Sequence, residues 1–170
     1  MGIESVTYWF EPSTGNDAGL AEWLQARGAT PRDREGAYVL SGADYWIDLW
    51  ELPSDSGSRM LHVRVAVTNP ASVTGLLRSL FSELVDVFGG TVTDIGSRRV
   101  FTDLRDDPGK FDHEFIAKRR RFTEKFGELV LPVSADDVFA LLRSRREDEP
   151  STELPPPAAS EGLDEDKDVD

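Results

Sequence analysis

The chain has 170 residues, 19 basic and 32 acidic, for a formal net charge of −13. That length suits one domain with or without an appendage, and it is enough to bury a core without covalent staples. The absence of cysteine excludes disulfides, thiolate zinc sites, iron–sulfur clusters and a cysteine nucleophile, and it fits a reducing cytoplasm.

Residues 6–10, Val-Thr-Tyr-Trp-Phe, are aromatic and β-branched and predict a strand. Residues 13–16 are turn chemistry, and Asn16 can cap a helix running to about Arg27, with Gly28 as its stop and Leu20, Trp23 and Leu24 on one face. Residues 29–36, which include Pro31, read as a polar loop. Residues 37–41 and 45–52 predict two strands joined by Ser-Gly-Ala-Asp, a hairpin signal. After a turn at 53–58, residues 60–68 form the clearest strand: Leu61, Val63, Val65 and Val67 alternate with His62, Arg64, Ala66 and Thr68.

Asn69-Pro70 has the chemistry of a helix start, and Val73, Leu76, Leu77, Leu80, Phe81, Leu84, Val85 and Phe88 recur at helical steps up to Gly89-Gly90. Residues 91–95 predict a strand, with a further short one at 100–102, and 103–109 a loop. A second long helix starts around Asp112, with Phe111, Phe115, Phe122 and Phe126 on one stripe, and ends near Gly127. Ser134 is the expected N-cap of a last helix whose apolar side is Val138, Leu141 and Leu142, with Phe139 adjoining. The expected order is βαβββαβαα. Consecutive strands with short turns favour antiparallel pairing. The fold class is therefore α+β: a mostly antiparallel sheet of about five strands with helices packed on it, a two-layer sandwich spanning 1–146.

The charge is not evenly spread. Residues 147–170 hold ten acids and one base, Lys167. With Pro150, Pro155-Pro156-Pro157 and only Leu154, Leu163 and Val169 as sizeable apolar groups, this segment buries too little to offset its ordering entropy. It is expected to be a disordered acidic tail, either solubilising or an arm for a basic partner.

The alternation of the strands suggests a candidate surface. If Leu61, Val63, Val65 and Val67 face the helices together with Tyr45, Ile47 and Leu49, then Trp46, Asp48, Trp50, His62 and Arg64 share the opposite face. Aromatic anchors beside an arginine are typical of protein interfaces. The competing reading is that the C-terminal helices cover this face, leaving Asp48 and Arg64 as a cross-strand ion pair.

Lys118, Arg119, Arg120, Arg121 and Lys125 invite a nucleic-acid reading, but Glu114, Glu124 and Glu128 interleave with them and the chain is acidic, so a solvated helix face is expected instead. His62 and His113 have no metal-ligand spacing, and the acidic loop 103–109 lacks the calcium-loop pattern. GxGxxG, GxxxxGK[ST] and GxSxG are all absent. No metal, cofactor or catalytic residue is therefore expected. No apolar run reaches the roughly 18–20 residues that span a bilayer, so no membrane contact is expected either.

Two stretches, 62–73 (HVRVAVTNPASV) and 119–127 (RRRFTEKFG) followed by 133–142 (VSADDVFALL), together resemble uncharacterised small bacterial proteins of the toxin-immunity type. The resemblance covers roughly 1–146 and carries no catalytic residue. It implies a cytoplasmic protein-interaction domain whose partner is another protein, such as a basic toxin. The alternative is a small-ligand sensor or enzyme with a pocket between sheet and helices that uses His62, Arg64 and Asp48.

Overall fold

The computed structural model describes residues 2–54, 57–105 and 107–147. The acidic tail lies outside them, apart from Glu147 at the end of the last helix. In chain order the elements are β1 (Ser5–Glu11), α1 (Leu20–Ala26), β2 (Thr30–Pro31), β3 (Ala37–Ser41), β4 (Trp46–Pro53), β5 (Arg59–Ala66), α2 (Val73–Phe88), β6 (Thr91–Asp94), β7 (Arg99–Phe101), α3 (Pro108–Phe126) and α4 (Ala135–Glu147). The strands form one open sheet in the order β2-β3-β4-β5-β1-β6-β7, with every pair antiparallel.

The fold class is α+β, but the sheet has seven strands among the described residues where about five are expected. The two beyond that count are its edges: β7 falls on the further short strand expected at 100–102, and β2 is the strand not expected. β2 is a two-residue strand inside the expected polar loop; Pro31 is tolerated because an edge strand can leave one side unpaired. β7 returns from β6 through a tight turn in which Asp94 accepts from the backbone N–H groups of Gly96 and Ser97 and Arg98 takes a positive φ of 57°.

Helix starts also depart from expectation. Asn16 does not cap α1; its side-chain amide donates to the Phe88 carbonyl at 2.8 Å and ties the β1–α1 loop to the end of α2. Gly28 does end α1, at φ 89°, with Ala29 donating back to the Leu24 carbonyl. Asn69 does not cap α2. It is fully buried, accepting from the Trp46 backbone N–H at 2.8 Å and donating to the Ala66 carbonyl at 2.9 Å, and the helix starts three residues after Pro70. Asp107 caps α3 with Pro108 in its first turn, so that helix begins inside the expected loop. Ser134 caps α4 by accepting from Asp137 N–H, while its hydroxyl donates to the Asp137 carboxylate.

Val6, Tyr8 and Phe10 of β1, Ile47 and Leu49 of β4, and Leu61, Val63 and Val65 of β5 point to one face. α1, α2 and the first half of α3 cover that face. Tyr8 stacks on Phe111 at 4.9 Å and meets Phe81 edge-on at 5.5 Å. Burying such rings contributes about 1.5–3 kcal/mol apiece before entropy.

The phenylalanine stripe of α3 serves two cores. Phe111 and Phe115 close the main one, whereas Phe122 and Phe126 join Ala66, Val67, Val138 and Leu142 in a second. Between α3 and α4 the chain rounds the end of the sheet, where Leu131 and Thr68 exchange hydrogen bonds. α4 is thereby delivered to the opposite face, over Ala66 and Arg64. The expected two-layer sandwich thus carries a partial third layer. No described helix is long and apolar enough to cross a membrane.

Candidate functional site

The register places Asp48 opposite Arg64 and Trp50 opposite His62, so Trp46, Asp48, Trp50, His62 and Arg64 do share the face turned away from α1, α2 and α3. They do not act as one surface. α4 divides them into a covered half and an open half.

Trp46, Asp48 and Arg64 belong to the covered half. Asp48 is 3% exposed. It accepts from Trp46 Nε1 at 3.0 Å and Arg32 at 3.2 Å, and from the backbone N–H of Ala135 at the start of α4. Burial raises its pKa; the three donors oppose that shift, and Asp136 adds to it. Arg64 does not pair with Asp48. Its guanidinium binds Asp136 at 2.7 Å, the Ser5 hydroxyl at 3.1 Å and Glu4 at 3.5 Å. The expected cross-strand pair is replaced because α4 supplies a better partner to each: a backbone N–H to the carboxylate and a carboxylate to the guanidinium. Both residues are fasteners for that helix.

Trp50 and His62 belong to the open half. Their rings lie 5.3 Å apart, tilted by 39°. Burial lowers the His62 pKa, and the nearby Arg64 charge lowers it further, so the imidazole is neutral at pH 7. β1 sets Trp9 directly across from His62, and β6 and β7 continue the row with Thr93 and Val100. One step along the strands, Leu52 faces Met60. Trp9 is 39% exposed and Val100 61%. A groove of about 350 Å³ runs beside this row, bordered by Trp9, His62, Arg64, Thr7 and Ile95.

No family model, curated protein or solved structure matches the chain. The site is therefore read from its own geometry.

Trp9, Leu52, Met60 and Val100 are the site residues that sequence reasoning missed. The β1 alternation contains the signal, since Val6, Tyr8 and Phe10 are the more apolar set and leave Trp9 outward. What was missing is the strand order, because β1 sits beside β5 only through a long-range pairing.

The basic run on α3 is not one patch. Lys118 donates to the Ser5 carbonyl at 2.9 Å and lies 3.9 Å from Glu114. Arg119 donates to the carbonyls of Val67, at 3.0 Å, and Asn69, clamping the β5–α2 connection. Arg120 sits 3.7 Å from Glu124, and Lys125 lies over the Phe126 ring. Two of the five are thus structural, where a solvated face was expected. Among the described residues no group of three or more His, Asp or Glu side chains is arranged to hold a metal ion. The loop carboxylates have local duties: Asp103 accepts from Arg105 N–H, and Asp107 caps α3. Asp106 lies outside the described residues.

The space between the sheet and α1–α3 is filled by the main core. His62, Arg64 and Asp48 are on the other side of the sheet, so a pocket between sheet and helices does not contain them. His62 and Arg64 border the outer groove, but Asp48 does not line it.

Proposed function

We propose that this chain is a non-enzymatic protein-interaction domain of the toxin-immunity type, and that its contact surface is the open half of the outer sheet face. The observation that carries the reading is the row Trp50, His62, Trp9 and Val100 with Leu52 and Met60 beside it, left uncovered by any described helix. A half-exposed sheet face with two tryptophans resembles the desolvatable centre of an interface. Arg64 and Glu4 border the groove beside this row, and the acidic balance of the chain suits a basic partner such as a cationic toxin. A cytoplasmic location fits the cysteine-free sequence.

The test is affinity capture from the producing organism with the full chain and with a Trp9→Ala/Trp50→Ala variant of equal thermal stability. A partner held by the first and lost by the second supports the reading. Equal capture by both removes this face. A second reading, small-ligand binding, has one observation in its favour: the groove of about 350 Å³ bordered by His62 and Arg64. Ligand binding there would change Trp9 fluorescence without any protein partner present.

A further inference from the structure

The two edges of the sheet are built differently. β2 ends it on one side with Thr30-Pro31, and β7 on the other with residues 99–101, Arg-Val-Phe. The ladder fixes where their backbone groups point. Ile95 N–H donates to the Thr7 carbonyl at 3.0 Å, so Thr93 and Trp9, two residues along each strand, also turn their backbone groups to each other. Val92 and Asp94 then turn theirs to Phe101 and Arg99 of β7, and the N–H and C=O of Val100 point out of the sheet. On the far side Arg32 N–H donates to the Ala37 carbonyl at 2.9 Å. The same alternation makes Pro31 the outward residue of β2, and proline has no N–H to offer.

We propose that β7 pairs with β7 of a second copy of this chain, antiparallel about a two-fold axis at Val100, so that two sheets join into one.

Three observations select that occupant. The first is backbone geometry. Val100 presents a donor and an acceptor on the same side, so the Val100 residues of two copies bond each other twice and the contact closes as a pair. Head-to-tail growth from β7 onto β2 is denied its donor by Pro31. The second is side-chain pairing. Val100, 61% exposed, meets Val100 on the outer face. On the helix side the register sets Arg99 opposite Phe101 of the second copy, a guanidinium beside an aromatic ring. The third is charge. A groove of about 340 Å³ beside this edge is bordered by Arg99 and Lys110 and by Asp103 and Asp107. Two cations with two anions suit a surface of the same balance better than a strongly basic or acidic one.

The pairing uses the sheet edge and leaves Trp9 and Trp50 uncovered. It is therefore independent of the contact role proposed above, and it would set two open faces side by side.

The test is analytical ultracentrifugation of the full chain at about 0.15 M salt, where like charges are screened beyond roughly 8 Å. The expected result is a reversible monomer–dimer equilibrium with no larger species. Val100→Pro removes a donor that the sheet does not use and should weaken association at least about tenfold, while Tm stays within a few degrees. Val100→Thr keeps the N–H and should keep the dimer. The cysteine-free sequence adds a readout of register. Under mild oxidation Val100→Cys should cross-link to itself, because directly paired residues have Cα atoms about 5.5 Å apart, whereas Arg99→Cys, set opposite Phe101, should not. A chain that stays monomeric at every concentration overturns the proposal. So does a dimer that Val100→Pro leaves intact, or Arg99→Cys cross-linking as fast as Val100→Cys. Loss of the dimer in Trp9→Ala/Trp50→Ala but not in Val100→Pro would move the contact to the open face.

Discussion

Replacing Asp48 tests whether this carboxylate fastens α4 or meets a partner. In Asp48→Ala three donors lose their acceptor: Trp46 Nε1, the backbone N–H of the fully buried Ala135, and Arg32. Arg32 is nearly half exposed and recovers its solvation, so its share is within about 0–1 kcal/mol. Each buried donor left unpaired costs about 1–3 kcal/mol. Allowing for relaxation, the variant should lose about 2–4 kcal/mol, a fall in Tm of roughly 6–12 °C for a chain of this size. Asp48→Asn keeps an acceptor and should lose less than half as much. Hydrogen exchange should place the loss in α4, whose amides should exchange faster while those of β1 and β5 keep their order. The pH dependence has a definite sign. Burial holds the Asp48 pKa above its unfolded value, so the native state binds this proton more tightly. Its contribution to stability is therefore greatest below the unfolded value of 3.8 and declines as pH rises through the folded pKa. The stability difference between wild type and Asp48→Asn should accordingly shift toward wild type on acidification. Loss of partner binding with Tm unchanged would refute this reasoning and place Asp48 in the interface.

Other residues give equally direct outcomes. Arg119→Ala should cost about 2–3 kcal/mol by releasing two backbone carbonyls, with Arg119→Lys recovering part of it, and thermal melts check both. His62 should titrate below 6.5 by NMR, because burial and the Arg64 charge both disfavour the imidazolium; Arg64→Gln should move the midpoint upward. As its folded pKa is depressed, His62 contributes stability that is present above pH 6.5 and lost as pH falls through the folded value. Phe115→Ala should lose about 3–5 kcal/mol in denaturant titrations, since the ring is fully buried in the main core.

The strongly periodic elements were legible from the sequence. The alternation of 61–67 and the helical steps of 73–88 report directly which side chains are inside, and the structure buries those residues, with Leu76 and Val85 half-buried at the edge of the core. What escaped depends on contacts remote in the chain. Asn16 and Asn69 have the chemistry of helix caps, yet each is used to bond a distant segment, a choice that tertiary packing makes and local propensity cannot. β2 is too short and too polar to show periodicity. The candidate face was legible only in part: its β4 and β5 residues follow from alternation, whereas Trp9 and Val100 join them through strand order. The division of that face follows from the turn at Thr68 and Leu131, which carries α4 around the sheet and leaves no periodic signal.

The most direct test of an interaction role for the open face is the affinity of the captured partner for the folded full chain and for its Trp9→Ala/Trp50→Ala variant, measured by titration. If these rings are the anchors, affinity should fall at least about thirtyfold, the effect of losing roughly 2 kcal/mol at a hot spot, while Tm stays within a few degrees. Equal affinity for the two proteins would contradict the account.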